Sequence, residues 1–82
     1  MDPASQKRIR EWLERFDKKQ FSHMIVVCDT WDHDDYPVGV KKTEDITQKV
    51  KYYGTNMQRV MEVYDLSMDI EKQLLQTRAW NF

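Results

Sequence analysis

Apolar side chains recur at helical spacing near the start of the chain. Four of them fall at positions i, i+3, i+4 and i+7 and share one helix face: Ile9, Trp12, Leu13 and Phe16. Asp2 followed by Pro3 supplies an N-cap and a first-turn proline. The pattern therefore predicts a first helix whose apolar face packs against another element.

Period-two alternation follows this helix and predicts a β-hairpin. Residues 21–31 are apolar on both faces of a strand, with Phe21, Ile25, Val27 and Trp31 on one side and Met24, Val26 and Cys28 on the other. A strand of this kind belongs in the centre of a sheet. Residues 36–41 form a second strand, in which Pro37 and Gly39 favour an edge position. The four residues 32–35 then form the hairpin loop.

A second helix is predicted after the hairpin. Thr43 is expected to cap it, Glu44 and Asp45 suit its first turn, and Gly54 closes its C-terminus. Its inward face carries three residues at positions i, i+4 and i+7: Ile46, Val50 and Tyr53.

Residues 57–66 fit either a helix or a strand. Apolar residues in this segment fall on one helical face, yet residues 59–66 also alternate as a strand would. We favour the strand, because a two-stranded hairpin is marginal in water and a third strand completes a sheet on which helices can pack. Ser67 is expected to cap a last helix, with Asp69 and Glu71 in its first turn. The residues expected to face inward from this last segment are Ile70, Leu74 and Trp80.

These elements predict a single α+β domain over residues 1–82, with a three-stranded sheet packed by helices in the order α-β-β-α-β-α. A chain of 82 residues with 40% apolar and 33% charged side chains leaves no room for a second domain.

Composition excludes several classes of function. A net charge of −1 argues against general binding to nucleic acid, and no apolar run is long enough to span a membrane. The first residues lack the order of a signal peptide. The single cysteine, Cys28, cannot form an internal disulfide and is expected to be reduced and buried. We therefore expect a cytoplasmic protein.

Acidic residues are concentrated in the predicted hairpin. Residues 21–45 hold six acids against two bases, and four carboxylates and His33 lie between positions 29 and 36. Aromatic anchors beside charges are typical of protein interfaces. We predict a non-catalytic protein that binds a basic surface of another protein, with Trp31 and Tyr36 as anchors and three steering charges: Asp32, Asp34 and Asp35.

Two other interpretations of this segment stay open. In the first, the acids have no binding role and occur here only because aspartate suits the backbone conformation of exposed turns. A divalent-metal site, in a sensor or a metal-dependent hydrolase, would use Asp29, Asp32, His33 and Asp34. The spacing does not match a calcium-binding loop, which weakens the metal interpretation. We expect no cofactor. Asp29 is expected to be half-buried and paired with an arginine of the first helix or with a backbone amide.

Candidate groups for catalysis are few. Cys28 could pair with His23 or His33, but His23 lies five residues away on the same strand and therefore on the opposite face, and His33 lies in the turn. These residues favour a non-catalytic protein.

Two further features are exposed charges and a terminal aromatic pair. The basic residues of the first helix alternate with acids and are expected to be solvated. Trp80 and Phe82 are expected to dock on the domain or to mediate assembly with a second copy.

Overall fold

A computed structural model describes residues 3–55 and 57–82, so the predicted cap at Asp2 lies outside the described residues. These residues form six elements: α1 (Pro3–Leu13), β1 (Phe21–Asp29), β2 (Asp34–Lys41), α2 (Ile46–Tyr53), β3 (Gln58–Asp65) and α3 (Ile70–Leu74). The strands form an antiparallel sheet in the order β2-β1-β3. The predicted fold class and element order are confirmed, as are the central position of β1 and the strand predicted within residues 57–66, which spans Gln58–Asp65.

Helices cover both faces of the sheet. On one face, α1 and α3 cover a core of nine buried residues: Ile9, Trp12, Leu13, Met24, Val26, Tyr64, Leu66, Leu74 and Ala79. On the other face, α2 packs over five: Ile25, Val27, Val40, Val60 and Val63. The alternation of β1 therefore supplies one apolar set to each layer. No helix in the described part of the chain has the length and apolar character that crossing a bilayer requires.

The face predicted for two residues of the first strand is wrong. The β1–β2 register shifts between Phe21 and His23, so β1 contains one extra residue there. This β-bulge moves the ring of Phe21 to the α1 face, where it meets Phe16 edge to face at a centroid distance of 5.2 Å. Trp31 lies beyond the end of β1 and is exposed.

The predicted N-caps of the second and third helices are also wrong. Asp45 caps α2, and its carboxylate accepts hydrogen bonds from the amides of the next turn. Asp69 caps α3 in the same way. In both helices the cap is an aspartate two residues after the predicted Thr43 or Ser67. Its negative carboxylate interacts favourably with the positive end of the helix dipole.

Gln73 connects α3 to the end of β3. Its side chain is only 1% exposed. The amide oxygen accepts from the Asp65 backbone nitrogen at 2.8 Å, and the amide nitrogen donates to the Asp65 carbonyl at 2.8 Å. Asn81 also donates to the Gln73 oxygen, at 3.0 Å. The side chain therefore replaces a strand partner for the backbone of Asp65.

The C-terminal residues lie beside the outer edge of β3. The Val63 nitrogen donates to the Ala79 carbonyl at 2.9 Å, and the Asn81 nitrogen donates to the Val63 carbonyl at 3.1 Å. Ala79 is buried, whereas Trp80 and Phe82 are 42% and 48% exposed. The backbone docks on the same chain, but the inward orientation predicted for Trp80 is wrong.

Gly39 provides the space that the two phenylalanine rings occupy. A Cβ atom at this position would lie 2.5 Å from the Phe16 ring and 2.9 Å from the Phe21 ring. Gly39→Ala is therefore expected to lower the free energy of unfolding by about 1–3 kcal/mol, as measured by urea denaturation. In a Phe16→Leu background the same change should cost less. An equal loss in both backgrounds would contradict the steric explanation.

Replacement of Gln73 should be far more harmful than replacement of a neighbouring glutamine. Gln73→Leu leaves the backbone nitrogen and carbonyl of Asp65 without these partners and buries no compensating polar group, so we expect a loss of about 2–4 kcal/mol in the free energy of unfolding. The control is Gln76→Leu, because Gln76 is exposed. Similar unfolding midpoints for the two variants would refute this role for Gln73.

Candidate interaction site

The acidic hairpin exists, but its loop lies two residues earlier than predicted. Asp29 ends β1 and pairs with Asp34, the first residue of β2. The connection is therefore residues 30–33. Asp29 causes this early reversal, because its carboxylate accepts from the Trp31 nitrogen at 2.8 Å and its carbonyl accepts from the His33 nitrogen at 2.7 Å. The half-buried position of Asp29 and its bond to a backbone amide are as predicted.

The loop is also attached to the start of β3. The Thr30 nitrogen and hydroxyl both donate to the Met57 carbonyl, at 2.9 and 2.6 Å. His33 and Met57 have positive φ angles of 59° and 64°. The backbone of the loop is therefore held from two sides, by Asp29 and by residue 57.

This arrangement exposes a large aromatic side chain beside acids. Trp31 is 76% exposed and Met57 is 58% exposed. Asp32, His33 and Asp34 are exposed as well. We call Trp31, Asp32, His33, Asp34 and Met57 the tip surface. Met57 was missed by sequence reasoning, since its position beside the loop depends on the pairing of β3 with β1 and no local pattern indicates it.

The other two residues of the predicted site lie within β2. Tyr36 packs against the α2-side core, and its hydroxyl accepts a hydrogen bond from Gln58. Burial raises the pKa of Tyr36. Asp35 pairs with Cys28 on the opposite face of the sheet. The structure therefore gathers Trp31, Asp32 and Asp34 at the tip, while Asp35 and Tyr36 are half-buried on either side of the sheet.

The metal alternative gains no geometric support. The Asp29 carboxylate accepts from a backbone amide, as described above. Within residues 3–55 and 57–82, no group of three or more His, Cys, Asp or Glu side chains is placed to hold a metal ion.

His23 and Cys28, one of the pairs considered for catalysis, are well separated. His23 and Cys28 lie five residues apart on β1, which corresponds to roughly 17 Å of strand. Cys28 is half-buried rather than buried, and partial burial, together with the Asp35 carboxylate, raises the pKa of its thiol. Burial lowers the pKa of His23, although Asp65 lies 3.8 Å from its Nε2 and acts in the opposite direction. Its Nδ1 lies 2.8 Å from the Ser22 hydroxyl. Neither group is activated as a nucleophile–base pair requires.

His23 should make stability dependent on pH. Because folding lowers its pKa below the ordinary value of about 6.5, the unfolded chain binds the proton more readily. Stability should therefore fall as the pH drops from 7 towards 5. His23→Gln should flatten this part of the dependence in thermal unfolding, whereas His33→Gln, which alters an exposed loop residue, should retain it. If stability falls equally steeply with pH in His23→Gln and in the unsubstituted protein, His23 is not the group responsible for the dependence.

Comparisons with known proteins leave the site to be interpreted from its own chemistry. No protein-family model matches the chain, no curated protein is significantly similar to it, and no solved structure matches its fold significantly.

Proposed function

We propose that the protein is a non-catalytic interaction module, which uses the tip surface to bind a segment of another protein that carries lysine or arginine beside an apolar side chain. The observation that carries this proposal is the 76% exposure of Trp31 on a loop whose backbone is held from two sides. With its one cysteine present as a free thiol, we also propose a cytoplasmic location.

Trp31 supplies the apolar part of the proposed interface. Tryptophan buries about 150–250 Å² in a contact, and tryptophans at interface centres commonly contribute 2 kcal/mol or more. The adjacent Met57 side chain can adapt to different partner shapes. The fixed backbone reduces the conformational entropy lost on binding. These features favour Trp31 as the anchor.

Asp32 and Asp34 supply the charge complementarity. Neither carboxylate forms an ion pair within the described residues. Asp34 also lies directly across from Asp29, and like charges in such a pair weaken a sheet. A basic partner would offset this repulsion and would associate faster at low ionic strength. The unfavourable pair supports a role in recognition, because local conflicts of this kind are expected at functional sites.

Peptide selection tests the proposal without a known partner. The intact protein is immobilised and used to select from a display library of random 12-residue peptides. We expect enriched sequences that combine lysine or arginine with a large apolar residue. Trp31→Ala should weaken a selected peptide at least tenfold, and Asp32→Asn with Asp34→Asn should slow association and reduce its salt dependence.

The matched control for Trp31→Ala is Trp80→Ala. Trp80 is also exposed, and its ring lies 5.4 Å from that of Phe82. Because the sequence predicts that these two rings either dock on the domain or mediate assembly, the same variant also tests whether the protein self-associates through them. We expect it to leave peptide affinity within twofold. Selection of acidic peptides, or binding that survives loss of Trp31 in a folded variant, would overturn the proposal.

A further inference from the structure

A groove separate from the tip surface lies between α1, the start of β3 and the C-terminal residues. Its cavity volume is about 540 Å³, which is within the range of small-molecule sites. Apolar residues of the α1-side core, Ile9, Trp12 and Val26, form its floor. Three arginines from distant parts of the chain line it: Arg8, Arg59 and Arg78. We call this feature the arginine groove.

Two of the three guanidinium groups are held in place by neutral groups. Arg8 lies over the Trp12 ring at 4.6 Å and donates to the Asp35 carbonyl at 3.1 Å. Arg78 donates to the carbonyls of Met61 and Val60, at 2.9 and 3.0 Å. Each guanidinium has five N–H donors, so several are left for a ligand. Because backbone carbonyls carry no net charge, these contacts position both arginines without neutralising them.

Arg59 is the third arginine, and its guanidinium group forms no hydrogen bond or ion pair within the described residues. Its side chain is exposed at the edge of the groove. An exposed cation without a hydrogen-bonded or ion-paired partner is available to an anion, and its replacement should not disturb the fold.

Two carboxylates also line the groove. One oxygen of Glu62 accepts from the Ala79 nitrogen at 3.2 Å. The Asp35 side chain lies beside the Cys28 thiol. Three guanidinium groups against two carboxylates leave the groove positive, in a protein whose net charge is −1. The groove therefore contrasts with the acidic tip surface.

We propose that the arginine groove binds a small organic anion, with its acidic group among the three arginines and an apolar ring against the floor. Guanidinium groups suit phosphate and carboxylate because their planar donors bind two oxygens at once. The apolar floor favours a ligand with a carbon body over an inorganic ion. The Arg8–Trp12 stack presents flat surfaces, which favours a planar ring.

The test is an NMR titration of the full chain with 2-naphthyl phosphate. We expect saturable binding that shifts the Trp12 indole and Val26 methyl signals. Inorganic phosphate, which lacks the ring, and 2-naphthol, which lacks the charge, should each bind about tenfold more weakly or worse. Equal binding of either control would overturn the proposal, since it would reduce the site to an adventitious ion site or an apolar surface. Absence of saturable binding would overturn it as well.

Substitution of one arginine supplies the matched comparison. Arg59→Ala should weaken 2-naphthyl phosphate at least fivefold while leaving the thermal midpoint unchanged. Arg15→Ala removes an exposed arginine outside the groove and should change affinity by less than twofold. Trp31→Ala should have no effect, so this result is independent of the tip surface. Equal affinities for the Arg59 and Arg15 variants would refute recognition by the groove.

Discussion

The fold depends on burying β1 on both faces. Met24, Ile25, Val26 and Val27 are at most 3% exposed, and alternate members of this run point to opposite sides of the sheet. A strand of this kind requires a covering layer on each side, which is why α1 and α3 occupy one face and α2 the other. The two neighbouring strands satisfy its backbone hydrogen bonds. Both proposed binding surfaces depend on this strand, since the tip continues from its end and the groove includes Val26.

Periodicity predicted most of the architecture, because every element except the third strand has an unambiguous apolar pattern. The choice of a strand at residues 58–65 was correct, and it rested on a tertiary requirement, namely that two strands alone bury too little surface. Details set by a single extra residue were not predictable. Period-two alternation assigns Phe21 to the same face as Ile25, whereas the bulge in β1 reverses it. The helix caps were misplaced because two capping residues lie close together before each helix, and the aspartate, not the hydroxyl residue, is the one that caps.

Contacts between distant segments account for what sequence reasoning missed. Gln73 is polar, and polarity alone predicts an exposed side chain. Its amide is instead buried and forms hydrogen bonds with the backbone of Asp65 that a neighbouring strand would otherwise form. Met57 reaches the hairpin only because β3 pairs with β1. The arginine groove gathers side chains from positions 8, 59 and 78, whose proximity no local pattern contains. The basic residues of the first helix were expected to be a solvated face, and Arg8 shows that one of them also forms the wall of a cavity.

Alternation along β2 divides the acidic segment between two surfaces. Asp34 lies at the exposed base of the tip, Asp35 faces the arginine groove, and Tyr36 packs towards α2. A run of acids that is continuous in sequence is therefore not one site. Asp32 and Asp34 make the tip negative. Asp35 lies in the groove, where it offsets only part of the charge of the three arginines. The tip is formed by the β1–β2 connection and Met57, whereas the groove is formed mainly by α1, β3 and the C-terminal residues, so the two surfaces share no residue. The domain thus exposes two surfaces of opposite charge despite its near-neutral total.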